Sequence, residues 1–142
     1  MLCPLGHGEL QAESHSRLVV QVCTTCRGEW LLHDELTALE ATTVRDPAVL
    51  SGTIEYQPHP DERPCPVCAK PMYGFDYRGN PLELDACPDG HGYWLDGGEE
   101  ARVRGLILQR ARDLHRAATA QASFGIFLKG LQRQVSSRTR RP

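Results

Sequence analysis

The sequence predicts a small, metal-stabilised α+β fold, with two tandem β-hairpin units, each followed by a short helix, and then a long C-terminal amphipathic helix. Three observations predict it. All six cysteines lie in four short clusters, the chain contains an internal repeat, and a helical apolar period follows the second copy of that repeat. The 142 residues are 40% apolar and 6% aromatic, which gives a thin core, so bound metal is a natural way to stabilise the fold.

The repeat appears when the chain is aligned with itself. "CTTCRGEWLLHDEL" aligns without a gap with "CPDGHGYWLDGGEE", which matches Trp30 with Trp94 and Glu35 with Glu99. Each copy has a ligand pair, a strand-rich stretch, a second ligand pair and Trp-Leu before a helix. In the second copy "MYGFDY" and "LELDAC" flank "RGNP", which predicts a β-hairpin, and "RLVVQV" is the matching returning strand of the first copy.

The spacing of cysteines and histidines predicts two zinc sites, because tetrahedral zinc takes four Cys or His ligands, usually in two closely spaced pairs. The first predicted set is Cys3, His7, Cys23 and Cys26, and the second is Cys65, Cys68, Cys87 and His91. Each set has three cysteines and one histidine, and the stretch between its two pairs is long enough for one hairpin. We therefore expect two zinc ions (Zn²⁺) per chain.

The histidine clusters "CPLGHG" and "CPDGHG" are predicted to be Cys-His versions of a zinc knuckle. An imidazole reaches further from its backbone than a thiolate does, so it stands one residue later than a second cysteine would. The flanking glycines, Gly6, Gly8, Gly90 and Gly92, allow a tight turn around the metal. The other histidines, His15, His33, His59 and His115, lack a ligand context and are expected to be surface or satisfied core residues.

The clusters allow two other interpretations. A C-x-x-C pair alone is typical of a redox site, but here each pair has a matching second pair at zinc-ribbon distance, which favours metal. A crossed arrangement would put Cys3, His7, Cys87 and His91 on one metal and four cysteines on the other. We expect each site to form within one repeat, because each hairpin closes a short loop at low entropic cost.

These motifs resemble the transcription-factor-IIB-type zinc-ribbon domain family, whose pattern is a CPxC pair, a hairpin and then CPxCxGxWLDxGEL. The resemblance covers residues 3–40 and 65–101 and implies a zinc-ribbon fold in both copies. The positions that match family ligands are Cys3, Cys23, Cys26, Cys65, Cys68 and Cys87. The chain departs from the pattern where His7 and His91 substitute for cysteines that the family has one place earlier, and where Leu32 stands in place of Asp.

The predicted organisation is zinc ribbon 1 at 1–42, a linker at 43–63, zinc ribbon 2 at 64–100, an amphipathic basic helix at 101–135 and a basic tail at 136–142. The linker is rich in proline and polar residues, with a short helix expected at Pro47. Trp30 and Trp94 are expected in the core, and Asp96 with Glu99 is expected to form a capping box.

The C-terminal segment is predicted to be helical from about Glu99 to about Leu131. Its apolar stripe passes through Val103, Ile107, Leu114, Ala118, Phe124 and Leu128. We expect this stripe to be buried against the ribbons or a second chain, because an apolar patch of that length is unusual in water. Arg110 falls within the stripe and argues against a clean coiled coil.

Charge divides the chain into two parts. Residues 1–100 hold 6 basic and 17 acidic side chains, a net charge of −11, whereas residues 101–142 hold 10 basic side chains and one acidic, a net charge of +9. The asymmetry predicts either an anionic partner for the basic C-terminal arm or packing of that arm on its own acidic body. Charge gives the sign of the partner and not its identity, so both interpretations stay open.

The predicted function is that of a non-enzymatic zinc protein whose ribbons scaffold a protein-protein interaction or self-association surface on the C-terminal helix. Catalytic zinc usually keeps an open position, and two four-ligand sites leave none. The sequence also has no apparent Ser-His-Asp order or phosphate loop, so no small-molecule substrate is expected. The alternative is a nucleic-acid-binding or transcription-associated accessory protein that uses the basic arm, although the ribbons lack the basic and aromatic mix of single-strand binders.

The expected location is the cytoplasm. The first ten residues, "MLCPLGHGEL", do not have the basic start and apolar stretch of a secretory signal, and no segment approaches the roughly 18 apolar residues of a membrane span. We therefore expect no membrane partner. In a reducing compartment, closely paired cysteines indicate metal ligands rather than disulfides.

Overall fold

The computed structural model describes residues 1–15, 18–52 and 54–138. The strands in these residues are β1 (Gln11–His15), β2 (Leu18–Val22), β3 (Glu29–Leu32), β4 (Glu55–Pro64), β5 (Pro71–Tyr77), β6 (Glu83–Ala86) and β7 (Gly92–Leu95). The helices are α1 (His33–Thr43), α2 (Pro47–Leu50) and α3 (Glu99–Arg138). The predicted α+β class and the long C-terminal helix are confirmed, as is the hairpin of β5 and β6.

The two repeats form one antiparallel sheet, with strand order β1-β2-β3-β7-β6-β5-β4. They join where β3 pairs with β7, which places Trp30 opposite Trp94 and Leu31 opposite Tyr93. These two strands occupy the same place in their respective repeats, because both contain the Trp-Leu dipeptide of the sequence alignment. The repeats are therefore fused through equivalent strands and share one sheet.

The segment expected as a linker contains two elements. The short helix expected at Pro47 is present as α2, and the Asp46 carboxylate caps it by accepting a hydrogen bond from the backbone N–H of Ala48 at 2.9 Å. Strand β4 was not predicted. It contains three prolines, which usually argue against a strand, but β4 is the last strand of the sheet and its outer edge needs no ladder donor.

Arg63 anchors β4 to the rest of the sheet. Its guanidinium donates to Asp61 at 2.6 Å, to Asp85 on β6 at 3.0 Å and to Asp96 before α3 at 3.1 and 3.2 Å. Burial raises the pKa of Asp61, but the bonds from Arg63 and Asp85 outweigh it and hold that pKa below its usual range. Burial and contact with Asp61 raise the pKa of Asp85 to about 8, even though Arg63 opposes the shift. One guanidinium thus holds three carboxyl groups together.

The sheet carries a core on each face, because successive strand residues point to opposite sides. The helix-side core lies between the sheet and the three helices, and it includes Leu31, Tyr93 and Leu95 of the central strands. The opposite core contains Trp30 and Trp94 together with buried cysteines. The first of these cores holds the fold, and the second surrounds the candidate functional residues.

Polar contacts reinforce the helix side. The Tyr77 hydroxyl donates to the buried carboxylate of Glu40 on α1, and Arg78 donates to the same carboxylate at 3.1 Å. Arg104 of α3 donates to the Thr43 hydroxyl at the end of α1, also at 3.1 Å. These contacts fix α1 against both the second repeat and the first part of α3.

Helix α3 begins at Glu99 as predicted but continues to Arg138, beyond the expected end near Leu131. The expected short helix of the second unit is not a separate element, because α3 runs without interruption from that unit into the C-terminal segment. Its 40 residues span about 60 Å at 1.5 Å per residue. In the described residues, none of the helices combines the length and the apolar character that a membrane crossing requires.

The prediction that the whole apolar stripe of α3 is buried is wrong within this chain. Val103 and Ile107 are completely buried, whereas Leu114, Phe124 and Leu128 are 38%, 61% and 44% exposed, and Ala118 is exposed as well. The sheet and the other helices cover only the first part of α3. We call residues 1–111 the body, and residues 112–138, which extend away from it, the arm.

Candidate metal centres

The structure brings together the eight predicted ligand residues as two groups. Within each group, all four ligand atoms lie within 4.8 Å of one another. The groups are Cys3, His7, Cys23 and Cys26 in the first repeat, and Cys65, Cys68, Cys87 and His91 in the second. The crossed arrangement does not form. Each group could hold one metal ion.

The distances within the groups match the edges of a tetrahedral site. The Sγ atoms of Cys3 and Cys26 are 3.8 Å apart, and those of Cys68 and Cys87 are 3.6 Å apart. Thiolates at about 2.3 Å from a tetrahedral zinc would be separated by about 3.8 Å. Disulfide bonding needs about 2.05 Å, and all six cysteines are free. The sulfur geometry therefore fits a shared metal ion.

The two histidines present the same nitrogen to their clusters. Nδ1 of His7 is 3.7 Å from the Cys3 sulfur, and Nδ1 of His91 is 3.3 Å from the Cys87 sulfur. In both Cys-His turns the residue before the histidine is a glycine with a left-handed backbone, at φ 77° for Gly6 and 75° for Gly90. This conformation lets the chain curl so that sulfur and imidazole face the same point.

All four ligand turns share one backbone pattern. The N–H of the first cysteine in each turn donates to the carbonyl five residues later, at 2.8 to 3.0 Å. The donor and acceptor pairs are Cys3 with Gly8, Cys23 with Gly28, Cys65 with Lys70, and Cys87 with Gly92. These short loops hold the ligands in place through backbone bonds, so the sites do not depend on long side-chain contacts for their shape.

The thiol groups within each cluster differ in acidity. Burial raises the pKa of Cys23, but backbone N–H groups of Cys26 and Thr25 outweigh it and lower that pKa to about 6. Cys87 behaves in the same way, and its pKa falls to about 7. Burial raises the pKa of Cys26 to about 11, so one cysteine in this cluster ionises readily and another does so reluctantly. A bound metal ion would displace the remaining thiol protons.

The two clusters share one small core. Trp30 and Trp94 are completely buried among the cysteines of both groups, as expected, together with Leu10 and Met72. The two indoles lie on neighbouring strands between the first group and the second. Packing around one cluster is therefore continuous with packing around the other.

Two glycines make room for the indoles, and sequence reasoning missed their role. A Cβ at Gly28 would lie 2.2 Å from Cζ2 of Trp94, and a Cβ at Gly92 would lie 3.0 Å from Cζ2 of Trp30. Gly28 aligns with Gly92 in the sequence repeat, as Trp30 does with Trp94. The signal was therefore present in the repeat alignment, as a glycine two positions before each tryptophan.

The polar partners of the two indoles differ. The Trp94 N–H donates to the Asp96 carboxylate at 2.9 Å, whereas the buried Trp30 N–H has no hydrogen-bond partner among the described residues. The residue equivalent to Asp96 in the first repeat is Leu32. Only half of the predicted capping box forms as expected, with Glu99 accepting from the Asp96 backbone N–H at 2.9 Å. The Asp96 carboxylate instead accepts from Trp94 and Arg63.

The histidines outside the clusters have other surroundings. Nδ1 of His33 lies 3.2 Å from the Tyr93 hydroxyl, and the two rings stack. His59 is exposed and 3.4 Å from the Glu83 carboxylate, and His115 is exposed on the arm. The side chain of His15 lies outside the described residues.

No family model, curated protein or solved structure matches this chain. The resemblance to transcription-factor-IIB-type zinc ribbons therefore stays a prediction. The function is inferred from the geometry of the two clusters and the exposure of the arm.

Proposed function

We propose that this chain is a non-enzymatic zinc protein in which two zinc ribbons, fused in one sheet, stabilise a body that presents its long C-terminal helix to a protein partner. The observation that carries the proposal is the contrast between body and arm. The body closes around two complete ligand sets, whereas residues 112–132 of the arm are exposed throughout, except for the half-buried Gly125.

The ligand chemistry favours zinc with a structural role. Three thiols and one imidazole in tetrahedral spacing form a donor set typical of structural zinc. Four protein ligands fill a tetrahedral shell, which leaves no open position for a substrate or a reactive water. The residues that would hold the ions are the eight named above. The ions would contribute to folding, because the metal-side core of the described chain consists of four cysteines and only four other buried residues.

The arm favours a protein partner. Its large apolar side chains, from Leu114 to Leu131, are between 38% and 73% exposed. An exposed apolar surface of this length on a helix is typical of helix-in-groove or helix-pairing interactions. The body holds the root of this helix firmly, through Val103 and Ile107, so the arm extends from a fixed base.

Metal analysis of the purified chain tests the first half of the proposal. We expect close to two zinc ions per chain, and we expect a chelator to unfold the body, with loss of the near-ultraviolet dichroism of Trp30 and Trp94. Val67→Ser, a change of a half-exposed residue within the second C-x-x-C turn, serves as the control and should keep both ions. A chain that folds with one ion or none would overturn this half.

Truncation tests the second half. A chain ending at residue 112 keeps every buried residue of α3, whereas a cut after Gly105 would remove the completely buried Ile107. We expect the chain of residues 1–112 to bind two zinc ions and to remain monomeric without a partner. If it keeps every interaction of the full chain, the arm is not the docking element.

A second candidate function is nucleic-acid binding through the basic C-terminal segment. The observation that favours it is the net charge of +9 over residues 101–142, with Arg112 and Arg116 exposed on the arm. Binding of this kind would weaken steeply as salt rises and would vanish in the chain of residues 1–112. Binding that survives high salt would exclude phosphate contacts as its basis.

A further inference from the structure

We propose that the partner of the arm is a second copy of this chain, and that two arms pair antiparallel as a short two-stranded coil. This inference rests on the proposed function, in that the arm is the docking element. It adds the identity of the partner, the orientation and the register.

The spacing of residues along the arm supports pairing of helices. From Leu114 onward, alternate steps of three and four residues define a seam, which consists of Leu114, Ala117, Gln121, Phe124, Leu128 and Leu131. The positions that flank this seam are Ala118, Ala120, Gly125, Phe127 and Gln132. None of these eleven residues is charged, whereas Arg116 and Lys129 lie on the outer side of the helix. The seam is therefore continuous for nearly three heptads.

Arg110 argues against a coiled coil along the whole of α3, but the structure places it outside the seam. Its guanidinium donates to the Ser51 carbonyl of the body at 2.9 Å. The body thus occupies this arginine before the arm begins. The uncharged seam starts one helical turn later, at Leu114.

The sizes of the seam residues favour the antiparallel orientation. In the register centred between Ala122 and Ser123, Leu114 faces Leu131 of the second copy, Ala117 faces its Leu128, and Gln121 faces its Phe124. Small residues then oppose large ones, which fills the layers evenly. Parallel in-register helices would place each residue against itself, leaving a void at Ala117 and excess volume at Phe124.

The charge distribution favours the same orientation. A parallel pair would bring two acidic regions together, each with a net charge of −11 over residues 1–100. It would also bring together the two basic ends, since residues 133–142 of each copy hold four arginines and no acidic residue. Antiparallel arms keep like charges at opposite ends of the dimer.

The area available is of the size that a stable pair requires. Phe124 and Phe127 are 61% and 59% exposed. A covered aromatic side chain buries about 150–250 Å², so the four phenylalanines of two copies would contribute roughly 400 Å². The leucines of the seam would contribute a similar amount, and together they approach the roughly 1,000 Å² expected of a specific interface. A helix of this length without packing is marginal in water, so pairing would also stabilise the arm itself.

Two glutamate substitutions of full-length, zinc-loaded protein test whether the seam pairs. Leu128→Glu puts a charge in the seam, whereas Ile126→Glu puts the same charge on the outer face, where Ile126 is 73% exposed. By sedimentation equilibrium we expect the unaltered chain to be a dimer. Leu128→Glu should raise the dimer dissociation constant at least about 100-fold, and Ile126→Glu should leave it within about threefold. Equal effects of the two substitutions would overturn the seam.

Cysteine cross-linking tests the orientation. When zinc-loaded Ala117→Cys and Leu128→Cys proteins are mixed and oxidised, we expect a disulfide between the two different chains. Each protein alone should not cross-link, because antiparallel arms hold the two copies of residue 117 about 16 Å apart along the helix. Cross-linking of Ala117→Cys with itself would show parallel arms and overturn the antiparallel orientation.

The outcomes separate this inference from the proposed function. A chain that holds two zinc ions but stays monomeric up to its solubility limit overturns the second copy as partner. A monomer whose arm becomes helical on phosphatidylglycerol vesicles overturns it in favour of a lipid surface. Absence of zinc from the folded chain would instead overturn the proposed function, whatever the oligomeric state.

Discussion

Trp30 and Trp94 face each other across the β3–β7 pair, and each indole packs over the glycine that lies two positions before the other. The arrangement is reciprocal, because Trp94 covers Gly28 and Trp30 covers Gly92. Both indoles are completely buried between the two clusters. The junction of the repeats therefore depends on two residue types, one that fills space and one that leaves it open.

Gly28→Ala should destabilise the protein. The added methyl group would lie 2.2 Å from Trp94, whose ring is enclosed and cannot move away freely. We expect a loss of roughly 1–3 kcal/mol in the free energy of unfolding, measured by urea denaturation of the zinc-loaded chain. Gly105→Ala is the matched control, because its added methyl group meets no atom within 4 Å. It should stabilise α3 by about 0.5–1 kcal/mol, and a loss at both positions would contradict the steric account.

Leu32→Asp should stabilise the first repeat. Leu32 is 47% exposed and precedes α1, so an aspartate there would lack the burial cost of a core carboxylate. It would reproduce the acceptor that Asp96 gives to Trp94 and could also cap α1. We expect a gain of about 1 kcal/mol by urea denaturation.

Two variants separate the hydrogen bond from the added charge. Leu32→Asn supplies a neutral acceptor and should retain most of the gain. Asp96→Leu makes the converse change and should cost about 1–3 kcal/mol, because it leaves the Trp94 N–H buried without its acceptor. A neutral effect of Leu32→Asn would show that the Trp30 N–H is not what limits stability.

Arg63→Gln should destabilise the fold in a pH-dependent way. Arg63 lowers the pKa of Asp61, so Asp61 contributes stability above its usual pKa of 3.8, and that stability is lost as pH falls. Without the guanidinium, three neighbouring carboxyl groups repel one another and their pKa values rise, which reverses the sign. The difference in unfolding free energy from the unaltered chain should be about 2 kcal/mol near neutral pH and should widen as pH rises from about 6 to about 8.

Arg116→Gln is the control for this measurement, because Arg116 is 75% exposed and its guanidinium lies 3.8 Å from the Asp113 carboxylate, too far for a strong contact. Taking differences from the unaltered chain at each pH removes the effect of proton competition at the metal ligands. A gap that stays constant or narrows with rising pH would contradict the role assigned to Arg63.

The two metal centres should not be independent. Cys68→Ser removes one ligand of the second group, and we expect the metal content to fall to about one ion per chain. Because the indoles between the clusters belong to one core, the remaining ion should also exchange several-fold faster with a chromogenic chelator. Val67→Ser alters the same turn without touching a ligand and should leave both rates unchanged. An unchanged release rate in Cys68→Ser would show that the sites act separately.

The local patterns in the sequence predicted the ligand groups, the hairpin of β5 and β6, and the start of α3 at Glu99. Each depends on residues close together in the chain, where spacing and turn chemistry decide the structure. The joining of the repeats was not predicted, because β3 and β7 are distant in sequence and neither strand shows locally that it has a partner on that side. Strand β4 was missed because its prolines are tolerated only at a sheet edge, which is a property of the assembled fold.

The burial of α3 was predicted from its apolar period alone, and that period does not state what covers it. Val103 and Ile107 have the body beneath them, whereas Phe124 lies roughly 25 Å beyond Ile107 along the helix. The unpaired N–H of Trp30 follows from a single replacement, Leu32 in place of the aspartate of the second repeat. That replacement was visible in the sequence, but its consequence depended on where the indole points.

The register of β3 against β7 is unchanged when the two repeats are exchanged, since Glu29 faces Leu95 as Leu31 faces Tyr93. Such self-complementary contact is what two identical subunits make in an isologous dimer. Duplication and fusion of a gene for a single-ribbon protein would convert that dimer into one chain without altering the contact. Once covalently joined, the copies were free to diverge, one keeping an aspartate for its tryptophan and extending its helix, the other losing both.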